Sequence, residues 1–383
     1  MGPHAEPSPP DAGGWTQEHR HLTVDVPPIA FGFRVELEDF RVDEIPAYLP
    51  SGEGEHLLVH IEKRGIPSDV AAKRLARAFD VAPRDVGMAG RKDARGVTRQ
   101  WMSLPGIDAA RALEFEDESL QVLEAGRHGN KLRRGHLKGN RFELRLRDLD
   151  PDRDDDVQRV CSAVSEHGLP NVYGPQRFGA RGDNADMGAL LLTEGRGAHA
   201  RALGAKKPSA ISKTLRTLHV NALQARIFNR VVAARLEGPG GVSGILLGDL
   251  AQKTDTGGIF RVEDLADAER AQRFEISATG PMHGSRMDEP TGEPAAIEAA
   301  ALAAEGLEGS VFGSGGALPQ RGTRRALRVR VLELSSARDG SDVVLTFGLP
   351  PGSFATTLVE ELQKRSHSVS GGIGGPSGGA PCR

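Results

Sequence analysis

Cysteine is scarce in this chain, and so are aromatic rings other than phenylalanine: 383 residues hold two Cys, two Trp and two Tyr. Cys161 and Cys382 are too few for a disulfide framework or a cysteine-rich zinc site. Glu53-Gly54-Glu55-His56 offers donors but no second cluster at metal-ligand spacing, so no metal is expected. No apolar run reaches membrane-spanning length, and the N-terminus lacks the apolar core of a signal peptide, which predicts a cytoplasmic protein with no membrane partner. Excess positive charge is also missing: 49 Lys and Arg against 52 Asp and Glu give a net charge of −3, which excludes a globally basic coat and leaves only local patches. The chain has no P-loop, no dinucleotide-binding glycine fingerprint and no Gly-x-Ser-x-Gly elbow. Nucleotide hydrolysis, nicotinamide redox chemistry and serine-hydrolase action are disfavoured accordingly, and no cofactor is expected.

What is present reads as a mixed α+β protein. Hydrophobic residues make up 38% and charged residues 26%, enough for a sizeable core. Residues 1–28 are rich in Pro, Gly, His and Asp and predict a flexible leader. The last eighteen residues, from Ser366, contain six Gly, four Ser and two Pro and predict a disordered tail. Leu57-Leu58-Val59-His60-Ile61 reads as a buried strand, followed by an N-cap at Ser68 and a helix with Ala71, Leu75, Ala78 and Phe79 on its apolar face. Phe142, Leu144 and Leu146 alternate with charged residues, as do Leu327, Val329 and Val331, and Val343 to Phe347 reads as the strand beside the latter. Helices are predicted over 157–167, 221–236 and 293–306. Residues 169–318 form a helix-richer unit set between strand-rich segments 29–168 and 319–365.

Two segments stand out chemically. In Gly87 to Gln100 one acid, Asp93, sits among Arg91, Lys92, Arg95 and Arg99. Cations at that spacing favour the carboxylate form, which suits a nucleophile or base and not a proton donor; on composition alone, a surface turn with a solvated Lys-Asp pair is the simpler account. The second segment, Arg127 to Arg147, carries eight Lys and Arg and one Glu, a local charge of +7. It reads as a footprint for a phosphate backbone. Asn140 and Phe142 there supply an amide and a ring for holding an unstacked base, unless Phe142 is simply core.

Five segments in order resemble the TruD-type pseudouridine synthases. They are Glu38-Asp39-Phe40-Arg41-Val42 with Gly52 to His56; Ala89-Gly90-Arg91-Lys92-Asp93 with Thr98-Arg99-Gln100; Lys131-Leu132 with Lys138-Gly139-Asn140-Arg141-Phe142; Pro170-Asn171 with Gln176 to Gly179; and Leu349 to Thr356. The resemblance implies an RNA isomerase that converts uridine to pseudouridine, at position 13 of the tRNA D arm in bacterial members. It implies Asp93 as the catalytic aspartate, acting by direct attack or as a base, and Phe40, Asn140 and Phe354 as the grip on the target nucleotide. Phe142 stands where other pseudouridine synthases place a tyrosine, and Arg34 where members often carry a lysine. Lys131, Arg133, Arg134 and Lys138 are expected on the RNA backbone. The implied fold is a largely antiparallel sheet with helices, carrying an α/β insertion, in a monomer with tRNA as partner. A non-catalytic RNA-binding protein or RNA chaperone is the competing class.

Overall fold

The computed structural model describes residues 21–313, 318 and 320–364. Residues 1–20 of the expected leader, the expected tail and Cys382 lie outside them. In chain order, the first elements are β1 (Phe40–Pro46), β2 (His56–Arg64), α1 (Ser68–Ala78), β3 (Val97–Pro105), β4 (Leu120–His128), β5 (Leu137–Arg147) and α2 (Asp154–His167). The middle holds α3 (Asn184–Thr193), α4 (Gly195–Ala202), α5 (Lys213–Glu237), β6 (Leu250–Lys253), β7 (Ile259–Arg261), β8 (Ile276–Met282), α6 (Glu293–Ala303) and β9 (Thr323–Ala326). The chain closes with β10 (Leu332–Asp339), β11 (Asp342–Leu349) and α7 (Thr356–Gln363).

The first and last segments build one ten-stranded sheet in the order β10-β11-β5-β1-β3-β2-β4, with two-residue strands added along it. Its pairs are antiparallel except β1 with β3, which run parallel with Arg41 opposite Val97. That junction brings the segment entering β3 beside the start of β1. Gly96, at φ +152°, is required there: a Cβ would lie 2.4 Å from the Phe40 carbonyl oxygen.

Each face follows the two-residue period. Leu57, Val59 and Ile61 of β2 and Met102 and Leu104 of β3 lie under Ala71, Ala72, Leu75 and Ala76 of α1. Phe142, Leu144 and Leu146 of β5 join Phe40, Val42, Leu345 and Phe347 in a second core covered by α2 and α7. Burying a leucine or phenylalanine in either core contributes roughly 1.5–3 kcal/mol.

The middle of the chain has a core of its own around Leu223, Ile227, Phe228 and Val231 of α5, beside a four-stranded sheet ordered β7-β6-β8-β9. The chain enters and leaves through two short crossings, Leu169–Pro170 and Arg328–Val329, which pair antiparallel with each other.

Four expectations change. Residues 21–28 are packed rather than loose: Val26 is in the core, and the Thr23 backbone N–H and hydroxyl both donate to buried Glu361. The expected return at residue 319 comes after β9, which pairs with β8 in the middle sheet. Leu327, Val329 and Val331 therefore do not form one strand; Leu327 is pulled into the middle core, and the Arg328 guanidinium spans the carbonyls of His167 and Ala271. The strand beside Val343 to Phe347 is instead β10, an edge strand too polar to show alternation. Finally, Ser68 is not the N-cap of α1, which is Pro67; its hydroxyl is used elsewhere.

Candidate active site

The segment from Ala89 to Asp93 is held by main-chain bonds at four of its five residues. The Ala89 carbonyl accepts from Gly135 N–H at 3.0 Å, and the Gly90 carbonyl accepts from Gln100 Nε2 at 3.3 Å. The Lys92 N–H donates to Ser68 Oγ at 2.8 Å, and Ser68 Oγ donates to Gln100 Oε1 at 2.6 Å. The Asp93 carbonyl accepts from Lys63 Nζ at 2.7 Å, and the same ammonium donates to the Ile66 carbonyl at 2.8 Å. Asp93 is thus fixed through its backbone while its carboxylate stays about half exposed, at 45%.

The cations expected around Asp93 are mostly turned away from it. Lys92 points inward to Glu44, with Nζ 2.7 Å from Oε2, and Glu44 Oε1 also accepts from the Trp101 N–H at 3.2 Å. Arg91 pairs with Asp69, and Arg99 with Glu62 and Asp43. The partner that does reach the carboxylate is Arg34, whose Nη2 lies 3.5 Å from Asp93 Oδ2. Its guanidinium also lies 3.8 Å above the centre of the Phe40 ring, a cation–π contact worth roughly 0.5–2 kcal/mol. Arg34 has φ 56°, a left-handed conformation that costs a non-glycine residue about 1–3 kcal/mol and is here spent at the site.

Burial pushes the Arg34 guanidinium below its ordinary pKa, with Asp93 opposing the shift. Lys63 is fully buried, and desolvation lowers it to about 8, again opposed by Asp93. The carboxylate therefore faces one stacked guanidinium and has one desolvated ammonium beneath its main chain.

Of the expected nucleotide contacts, Asn140 lies opposite Glu44 on β1 and Leu349 on β11, and its buried Oδ1 has no hydrogen-bond partner among the described residues. An unsatisfied buried acceptor is costly, and a ligand N–H would relieve it. Phe40 is buried with Arg34 on one face. Phe142 is 6% exposed, stacked on Phe347 at 5.4 Å and edge-on to Phe40 at 6.1 Å, so it presents no open face to a base. Phe354 sits apart from these rings, against the middle core, 6.0 Å from Tyr173.

This geometry is accompanied by clear kinship. The family model for tRNA pseudouridine synthase D (TruD) matches residues 17–209 and 192–362. The chain belongs to the TruD family. It is similar to a tRNA pseudouridine synthase D of Anaeromyxobacter sp. strain Fw109-5, 44% identical over 90% of this chain and 95% of that one. It is also similar to one of Geobacter sulfurreducens, 38% identical over 91% and 97%. A crystal structure assigned to the same family, from Methanosarcina mazei, superposes with TM-score 0.75 at 23% identity, covering 91% of this chain and 96% of that one; at that identity the likeness speaks to fold.

In this TruD chain the basic run 127–147 divides in two. Arg141 pairs with Glu333, Arg145 with Asp339 and Asp342, and Arg147 with Asp39. Arg133, Arg134 and Lys138 remain exposed, while Lys131 donates to the Arg84 carbonyl at 2.7 Å. Sequence reasoning missed Lys63, Glu44 and the Ser68–Gln100 pair. A signal existed for the first two: Lys63 continues the inward phase of Leu57, Val59 and Ile61, and Glu44 that of Phe40 and Val42.

Proposed function

We propose that this chain isomerises uridine to pseudouridine in tRNA, with uridine 13 of the D arm as target and Asp93 as the catalytic carboxylate. Family membership supports the reaction, and the observation that carries the site is a half-exposed carboxylate on a loop fixed at four backbone points and faced by Arg34. The reaction breaks the bond from C1′ to N1, turns the base and forms the bond from C1′ to C5; the C5 proton leaves and N1 gains one. It is redox-neutral. Reaching the uridine means extruding it, at about a few kcal/mol. Asn140 Oδ1, unpartnered and buried, suits an N–H of the turned base. Phe40 acts through Arg34: the ring seats the guanidinium, and the guanidinium seats the carboxylate. Phe142 supports Phe40 from within the core. Arg133, Arg134 and Lys138 hold phosphates that align the target.

The test is release of tritium from tRNA carrying 5-tritiated uridine, which isomerisation frees and mere binding does not. Asp93→Asn should abolish release while tRNA binding persists. Turnover by a folded Asp93→Asn protein at the wild-type rate would remove the proposed role, and release from a uridine elsewhere would move the target.

A further inference from the structure

From Gly195 to Leu236 the chain runs 42 residues without an Asp or Glu while carrying nine Lys and Arg. In a protein with 52 acids and a net charge of −3, such an interval is the most one-sided charge pattern outside the site already described. The fold sorts it into two parts. Arg226, Arg230 and Arg235 lie in the body of α5 and take carboxylates from elsewhere: Asp186 and Glu305, Glu305, and Asp249. The other part forms the outer end of the unit: α4, the turn Pro208–Ala210 and the first turns of α5. There Arg201, Lys206, Lys207 and Lys213 are exposed. Among the described residues none of these four has a carboxylate within ion-pair distance, and Arg216 beside them bonds only to the Ile211 carbonyl. Burial lowers His199 below its ordinary value, and Arg216 adds to that shift.

Position matters as much as charge. Asn229 of α5 exchanges two hydrogen bonds with the backbone of Tyr173, the ring beside Phe354. From Asn229 back to Lys213 the helix runs roughly 24 Å at 1.5 Å per residue. The cationic end therefore lies well beyond one extruded nucleotide and its neighbours, but within the span of a folded RNA.

We infer that Arg201, Lys206, Lys207 and Lys213 form a second RNA-phosphate contact, at the outer end of α4 and α5, that binds the body of the tRNA away from the modified uridine. This rests on the reading of tRNA as substrate. Unpaired cations with no neighbouring acids are matched to a polyanion, and phosphate contacts of this kind fix register without reading sequence.

The test replaces all four with Ala in the full chain and measures binding to full-length tRNA across a salt series, together with steady-state kinetics on that tRNA and on a short stem-loop carrying the same uridine. The expected result is a salt slope flatter by about three units and a KM for tRNA raised at least tenfold. The kcat should be unchanged, and so should kcat/KM on the stem-loop. A second variant, Arg201→Lys with Lys206→Arg, Lys207→Arg and Lys213→Arg, should retain wild-type slope and KM, which separates lost charge from lost folding. Unchanged slope and KM in the Ala variant would overturn the inference and leave the patch to another polyanion, such as an acidic protein. Failure of the wild type to make pseudouridine in either RNA would sink the catalytic reading, and the binding measurements would still decide this one.

Discussion

Between Arg91 and Arg99, and again between Arg201 and Lys213, four cations lie close together in sequence, yet the fold gives them opposite electrical fates. In the first stretch Arg91, Lys92 and Arg99 are each taken by a carboxylate from another element, and the cation that faces Asp93 is Arg34, from 59 positions away. In the second, among the described residues, no acid from elsewhere lies within ion-pair distance of the four, which are all exposed. A run of positive sequence is therefore not a positive surface; what decides is whether the sheet or core opposite supplies acids. The same rule splits the 127–147 run, whose last three arginines are neutralised by Asp39, Glu333, Asp339 and Asp342.

The largest effect that sharpens this contrast is on stability. Lys92 and Glu44 are a buried pair, 6% and 0% exposed, so Glu44→Gln leaves an uncompensated ammonium and should cost about 3–5 kcal/mol. A denaturant titration reads this directly, and Lys92→Met added to Glu44→Gln should recover a large part of the loss. The four-alanine change at the outer end of α5, which touches no acid, should stay within about 0.5 kcal/mol of wild type. Equal midpoints for all these proteins would mean the inward pair carries no more weight than the surface.

Lys63 gives the next largest effect, and on a different quantity. It bridges the carbonyls of Ile66 and Asp93, so Lys63→Met should lower kcat roughly ten- to a hundredfold through displacement of the carboxylate, with little change in KM. Its folded-state pKa of about 8 lies below the ordinary 10.5. Between those values the unfolded chain holds more protons, so this residue favours folding increasingly as pH rises through 8. Activity should accordingly fall above about pH 8 without loss of melting temperature, and the Met variant should lack that limb. An identical alkaline limb in Lys63→Met would assign it to another group.

The elements with strong periodicity were legible. The strands around Leu57 to Ile61 and Phe142 to Leu146 and the helices expected over 157–167 and 293–306 form where alternation or helical spacing places them, whereas the helix expected over 221–236 begins about two turns earlier, at Lys213. The acid on which the proposed reading rests stands out in the sequence too, because one carboxylate among cations is conspicuous. Its partner Arg34 was legible only through the family resemblance, not from local pattern: it reaches Asp93 because a parallel strand pair joins segments far apart in sequence, and pairing order is absent from local spacing. Phe142 illustrates a second limit: alternation predicts that it points inward with Leu144, yet a ring beside an asparagine in a basic run suggests a base-stacking surface. Core packing on Phe347 decides it. Residues 21–29 show a third, since Thr23 and Ile29 bond to Glu361 and Leu362, more than 330 positions away.

The smallest effect concerns Arg34 itself, and it tests whether the imported cation matters as a charge or as a shape. Lysine can restore the charge beside Asp93, but it lacks the planar group that lies 3.8 Å over Phe40. If charge is the requirement, Arg34→Lys should keep kcat within about threefold of wild type, a loss of under 1 kcal/mol in barrier, while Arg34→Met loses far more. If the stacked plane aims the carboxylate, Phe40→Leu in the wild-type background should lower kcat, and the same change made on Arg34→Lys should add little, because the contact it removes is already gone. Additive losses in that double mutant would show that Phe40 and Arg34 act independently, and the chain of support from ring to guanidinium to Asp93 would have to be given up.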